Sequence, residues 1–329
     1  MLTAEKVKEY AKKCGADIVG IVSMDRFEGA PKEMDPRYIF PEARVIIGFG
    51  FRILRGSLRG IEEGTYFAAY PSMGYAHINL TYAPNVLREV ACMIEDEGYE
   101  AVPIQNMVIG SSVEILRGKP TNISVPVSPD RPAPDVLLHF RIAAAICGMG
   151  EIGYSKLFLS PEFGPRQRLA FLLTDAPLEP DPIYEGPPIC DRCMLCVQEC
   201  PGKAISKDKV VRVKIGGREF EWGELNEERC MLAYTGGNRE FNPFLPSNFM
   251  EIDFDKIDGK GAGYARAEFQ ALQNIPYNAS SLYVFHHLGA IGGARGCIRA
   301  CMMHLEKEGR IRNKFKENFR KRKAWRLNR

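Results

Sequence analysis

No run of apolar residues in the 329-residue chain is long enough to cross a bilayer as a helix, which excludes a helical membrane span. The first residues, Met-Leu-Thr-Ala-Glu-Lys, hold neither a twin-arginine pair nor an apolar signal core, so a cytoplasmic location is expected. Serine and threonine nucleophile motifs are missing, and there is no internal repeat beyond two cysteine elements. Charge of one sign is missing too: 44 Lys and Arg stand against 41 Asp and Glu, a net +3. What the chain does have is ten cysteines, most at metal-like intervals, which suit a reducing compartment better than a disulfide scaffold.

Cys190, Cys193, Cys196 and Cys200 lie in C-D-R-C-M-L-C-V-Q-E-C-P, which is C-x2-C-x2-C-x3-C-P. This is the bacterial ferredoxin spacing for cubane iron–sulfur clusters, with a zinc site as the alternative. Three thiolates at such intervals wrap one cluster, and the fourth points toward another. A second element follows, with Cys230 in E-R-C-M-L-A-Y and Cys297 and Cys301 in G-C-I-R-A-C. In two-cluster ferredoxins the cysteine after the x3 spacing serves the cluster of the other half. On that logic Cys190, Cys193, Cys196 and Cys301 hold one [4Fe–4S] cluster, leaving Cys200, Cys230 and Cys297 for a second. Ala294 stands where a further cysteine would complete the second set. The second cluster is then [3Fe–4S], or [4Fe–4S] with an open iron or another ligand such as His286 or His287. A single cluster with Cys230 and Cys297 as free thiols is the competing arrangement. Cys14 and Cys92 lie on apolar helix faces and read as inert thiols.

Hydrophobic periodicity predicts a helix over 3–14, strands over 17–23 and 43–51, a helix over 85–97 and a strand over 100–104. It also predicts a helix over 135–147, a strand over 168–175, and a hairpin over 210–222 turning at Gly216-Gly217. Residues 56–84, rich in Gly and Tyr, read as a long loop or partly helical cover. A Pro-rich linker (Pro177, Pro180, Pro182, Pro187, Pro188) separates the body from the cysteine run. Three units are expected: an α/β body (1–180), an iron–sulfur module (181–309) and a basic tail (310–329). Ten of the tail's twenty residues are Lys or Arg, and Glu317 alone is acidic. The tail suits RNA or an acidic membrane; a solvated terminal helix packing Phe315, Phe319 and Trp325 onto the body is the favoured reading.

Residues 142–178 contain A-A-A-I-C-G-M-G-E-I-G, then L-F-L-S-P-E-F-G, then T-D-A-P-L. This segment resembles one shared by epoxyqueuosine reductases and reductive dehalogenases, where it lies just ahead of the same cysteine run. The resemblance spans about residues 3–305 and rests on the order of the motifs. It implies an α+β fold: a mixed α/β, nitroreductase-like cobalamin-binding body with an inserted or appended bacterial ferredoxin-like module. It implies a cobalamin enzyme that binds the corrinoid without a cobalt-ligating histidine. In agreement, the D-x-H-x-x-G pattern of histidine-ligated corrinoid proteins is broken here, since Val284 takes the Asp place before His286 and Gly289.

The resemblance also implies cofactor contacts from Gly148, Met149, Gly150, Ile152, Gly153, Ser160, Glu162, Phe163, Gly164 and Arg166, with Cys147 a packing thiol. Candidate proton donors are His139, Tyr154 and Tyr75, with Lys156, Tyr66 and Tyr70 as rivals. The expected function is a reductase that takes electrons from a low-potential donor (ferredoxin or flavodoxin) through its clusters to cobalt and a small organic substrate. Alternatives are an epoxyqueuosine (tRNA) reductase, a reductive dehalogenase, a ferredoxin-like carrier, and a corrinoid reductive activator. The aspartate acid expected of epoxyqueuosine reductases falls one residue from Pro134, at Asp135.

Overall fold

The computed structural model describes residues 1–63, 65–66, 68–104, 106, 125–134, 136–242, 245, 247, 249, 252–259, 267–268, 292–293 and 295–319. Asp135, Val284, His286, His287, Gly289, Ala294 and Trp325 lie outside the described residues, as does the tail beyond Phe319.

Helix α1 (Ala4–Cys14) starts where the Thr3 hydroxyl accepts from the Lys6 amide, and it buries Val7 and Ala11. Strands β1 (Ile18–Ser23) and β2 (Val45–Arg52) follow; all of β2 but Arg52 is buried. A run of unbroken burial, rather than alternation, marks a strand covered on both faces. Residues 69–96 then form a nearly continuous helical stretch. Two π-turns, Ser72–Ala76 and Ile78–Tyr82, lead into helix α2 (Ala83–Asp96). The Gly- and Tyr-rich segment is thus largely helical. It gave no 3.6-residue signal because π-turns shift the side-chain period.

Strand β3 (Ala101–Ile104) precedes helix α3 (Phe140–Ile146). The helix predicted from residue 135 begins five residues late. His139 caps it, its Nδ1 accepting from the Ile142 amide, so the chain before it runs outside the helix. Short strands β4 (Glu151–Ile152) and β5 (Phe158–Leu159) pair, and β6 (Gln167–Thr174) completes the main sheet. That sheet is antiparallel throughout, in the order β1-β2-β6-β3. One face carries α1 and α2, the other α3.

After the Pro-rich linker come a short helix α4 (Leu195–Gln198), hairpin strands β7 (Ile205–Ile215) and β8 (Arg218–Leu225), helix α5 (Glu227–Tyr234) and helix α6 (Cys297–Lys307). The hairpin turns at Gly216-Gly217 as expected, both at positive φ. It is not a free appendage: Ile215, Phe220 and Trp222 are buried in the α3-side core with Phe171. On the other side Ile298 and Met302 of α6, and Phe319, enter the α1–α2 core. The fold is a mixed α/β arrangement in which the cysteine-bearing segments are anchored to both faces of the sheet. Residues 310–319 form no helix; Phe319 is buried and Phe315 is half-exposed.

Candidate metal centre

The cysteine segments meet through α4 and α6. Arg299 of α6 pairs with Glu199 beside α4 at 2.8 Å, and Arg299 is nearly fully buried. Gly296 lies so close to Pro201 that a Cβ there would approach the proline ring to 2.6 Å. This packing brings Cys301 to the first three cysteines. Cys190, Cys193, Cys196 and Cys301 line one small, largely apolar cavity with Gly153, Leu159 and Leu305. After burial, the charges acting on Cys301 are those of Cys190, Cys196, Cys297 and Cys193. For Cys297, one helical turn earlier, burial comes first, and then the charges of Cys230, Cys200 and Cys196. Seven cysteines therefore gather as a set of four and a set of three. The other three of the chain's ten lie elsewhere: Cys147 is fully buried in the α3-side core, and Cys14 and Cys92 belong to α1 and α2.

The chemistry of these donors suits a cationic occupant. Burial, then the neighbouring thiolates, push Cys196 up to about 11, and burial and Cys200 do the same to Cys230. Cys297 and Cys301 rise further for the same reasons. Thiols crowded in this way resist ionisation alone and ionise readily onto a metal. Backbone amides already point at sulfur: Tyr154 N–H donates to Cys190 Sγ at 3.4 Å, and Ala204 N–H to Cys200 Sγ at 3.3 Å. Amides of this kind tune cluster potentials. The donor sets thus fit one four-thiolate cluster and one three-thiolate cluster. Asp191, Cys193 and His304 also converge, with ligand atoms within 4.8 Å of one another; Asp191 bonds His304 at 2.7 Å and Arg310 at 2.8 Å. Cys193 is the exposed member of the first set.

The segment taken as cofactor-binding does other work in its observed contacts. Gly148 has φ 76, and a Cβ there would lie 2.2 Å from the Pro182 carbonyl; Gly150 has φ 152 and would meet the Leu159 carbonyl at 2.0 Å. Their glycines permit close approach of the chain to itself. Met149 is buried against Gly48 and Gly50 of β2. Ser160 hydrogen-bonds Gln167 and the Phe163 amide, and Phe163 is a core residue. Glu162 pairs with Arg312, Gly164 packs on Leu305, and Arg166 donates to the Ile53 carbonyl and to Asn313. Residues 160–166 therefore grip the C-terminal segment. Gly150 and Ile152 line a cavity of about 210 Å³ with Ala145, Glu151, Arg218 and Glu221. Gly153 lies at the four-cysteine cavity.

Of the three proton-donor candidates, two are committed elsewhere. The Tyr154 hydroxyl donates to the Ser206 and Lys207 carbonyls at 3.0 and 2.9 Å. His139 is the α3 cap, stacked on Trp222 at 6.0 Å; burial, then Arg141 and Lys156, lower it to about 4, so it is neutral near pH 7. Tyr75 is different. It sits on the first π-turn, edge-on to Tyr70 and to Tyr234 of α5, four residues past Cys230. The Arg168 guanidinium lies 3.6 Å from the Tyr75 ring centre and donates to the Tyr70 hydroxyl at 2.7 Å. Tyr70 is fully buried and raised to about 12, chiefly by desolvation. Sequence reasoning named Tyr75 but missed Tyr234, and it missed Arg141, whose lone charge in the apolar run L-L-H-F-R-I-A-A-A-I was the available signal.

Fold and site define a class: a mixed α/β protein with two gathered thiol sets of the kind that hold iron–sulfur clusters. No family model matches the chain. It is 30% identical over 196 residues to a tetrachloroethene reductive dehalogenase of Desulfitobacterium hafniense, a match covering 56% of this chain and 30% of that protein. It is 23% identical over 272 residues to an epoxyqueuosine reductase of Bacillus subtilis, covering 74% of this chain and 58% of that one. Among solved structures, a catabolic reductive dehalogenase aligns over 99% of this chain and 41% of its own, with a TM-score of 0.51 and 17% identity, a likeness of fold. Both families that the motifs resemble are thus found among the relatives, and these relatives are reductases. The chain spans less than a third of the length of the curated dehalogenases it matches.

Proposed function

We propose that the protein is a cytoplasmic cobalamin-dependent iron–sulfur reductase. The observation that carries this reading is the sorting of seven cysteines into a set of four and a set of three. The assigned ligands are Cys190, Cys193, Cys196 and Cys301 for one [4Fe–4S] cluster, and Cys200, Cys230 and Cys297 for the second. Division into a body (1–180), a ferredoxin-like module (181–309) and a tail belongs to the same proposal. Electrons enter from a ferredoxin or flavodoxin on the Cys193 side, which is exposed and lies beside Asp191, His304 and the adjoining Arg192. Bound cobalamin supplies a low-potential reductant for an organic substrate. It is assigned from the likeness to the two reductase families.

The chain's own contribution is a proton and its control. Tyr75 is assigned as the donor. Arg168 is stacked on its ring, and Tyr70 holds Arg168 in place. Tyr75→Phe should lower turnover by about a hundredfold or more while leaving both cluster signals intact. Unchanged turnover would remove Tyr75 from the mechanism.

The cluster assignment has its own test. Cys301→Ser and Cys193→Ala should each remove about half the iron and the same electron-spin-resonance signal; Cys297→Ser and Cys230→Ser should remove the other. Loss of all iron in each single variant would support one cluster only. A second reading is an electron carrier without corrinoid, resting on the two thiol sets alone. It predicts cobalt-free protein with intact clusters.

A further inference from the structure

We infer that Asp191, Cys193 and His304 form a further metal site, a mixed-donor site for one iron- or zinc-like divalent ion that is occupied before the first cluster is built. The inference rests on the assignment of Cys193 to that cluster and is independent of the corrinoid.

The three donors come from two segments far apart in sequence, the loop ahead of α4 and the last turns of α6, and their ligand atoms lie within 4.8 Å of one another. The loop holds an uncommon shape. Arg192 and Met194, on either side of Cys193, have φ of 57 and 61, a left-handed region that non-glycine residues seldom adopt. Backbone of this kind persists only where its surroundings hold it, and it clusters at functional sites. Asp191 spans the turn, its Oδ1 accepting from the Cys193 amide at 3.2 Å. Its Oδ2 meets His304 Nε2 at 2.7 Å and accepts from Arg310 at 2.8 Å. Arg310 is fixed in turn on the Pro188 carbonyl. A carboxylate held by an outer partner in this way stays aimed as a ligand.

All three donors also line the small cavity shared by the four thiols of the first set. They stand on its outer side: Asp191 and Cys193 are exposed and His304 is half-buried, whereas Cys196 is buried. An ion arriving from solvent therefore meets the mixed donors before the inner thiols. One thiolate, one imidazole and one carboxylate suit zinc, ferrous iron or cobalt better than magnesium or calcium, which prefer oxygen shells. Three protein ligands leave a fourth position open to water or sulfide. On binding, the ion forms bonds to the three side chains and stays divalent. The Cys193 thiol proton leaves to solvent, and the ion replaces the bond between His304 and Asp191. The first cluster needs the same Cys193, so ion and cluster exclude one another.

The test is titration of the full-length chain, purified without oxygen and before reconstitution, with cobalt(II), whose thiolate band reports a sulfur ligand. The first cobalt should bind through Cys193, so C193A should abolish its thiolate band and C196A should leave it. H304Q and D191N should each weaken it about tenfold or more. H304C returns a ligand without the bond to Asp191, and it should bind cobalt about tenfold more tightly than H304Q. A merely structural histidine would show no such rescue. Fully reconstituted protein should lack this cobalt site. With ferrous iron and sulfide, H304Q should slow the first cluster's electron-spin-resonance signal about tenfold while reaching the same final iron content. Equal cobalt affinity in H304Q, D191N and wild type would overturn the inference. Equal loss in C196A and C193A would overturn it by placing the ion among the four thiols, and so would an unchanged rate of cluster formation in H304Q. Cobalt bound through His304 to fully reconstituted protein would instead overturn the assignment of Cys193 to the cluster and leave the mixed-donor site standing.

Discussion

His139 caps α3 and is mostly buried. An imidazole lowered to about 4 binds its proton less readily than the unfolded chain does, at about 6.5. Between these values the unfolded state holds more protons, so stability is complete above pH about 6.5 and falls as the pH drops toward 4. His139→Gln should flatten that slope, removing up to about 3 kcal/mol of pH dependence, while costing little at pH 7.5. Thermal unfolding of both proteins across this range checks it; an unchanged slope would show that His139 is not the titrating group. The cysteines were legible because ligand spacing is a local property of the chain. Cys301 lines one cavity with Cys190, Cys193 and Cys196, the residues that ferredoxin logic groups with it.

At the scale of elements, the sequence signalled most strands and helices within a residue or two, because their burial patterns are strong. Strand β2 and helix α2 are examples. The start of α3 was missed because a histidine side chain, rather than an expected capping residue, sets it. The glycine turn after α3 was located correctly, but its glycines answer to chain neighbours. Gly150→Ala should destabilise by about 3 kcal/mol or more, since a Cβ would both require positive φ and strike the Leu159 carbonyl. A melting temperature equal to wild type would contradict this account of the turn.

The C-terminal segment is a second case. Arg55 pairs with Glu306 of α6 at 2.8 Å, donates to the Glu317 carbonyl and lies over Phe315 and Phe319. Glu306 is almost fully buried, and burial raises its carboxyl. Arg55→Ala would strand that carboxylate and should cost about 3–5 kcal/mol, whereas Glu306→Gln should cost less. Chemical denaturation of the two variants decides it; equal, small losses would mean that the clamp does not hold the segment.

On the scale of the whole molecule, the clamp, the hairpin in the α3-side core and α6 in the α1–α2 core tie the cysteine segments to the sheet. Two clusters so held would keep a fixed separation from each other, as electron transfer requires. The near-neutral net charge conceals a basic end, and residues beyond Phe319 lie outside the described structure. The central claim is that clusters and corrinoid act in one protein. Metal analysis tests it most directly, on protein purified without oxygen and reconstituted with iron, sulfide and hydroxocobalamin. The account predicts about one cobalt and roughly seven to eight iron atoms per chain. Iron at that level with no cobalt would contradict it and leave a ferredoxin-like carrier.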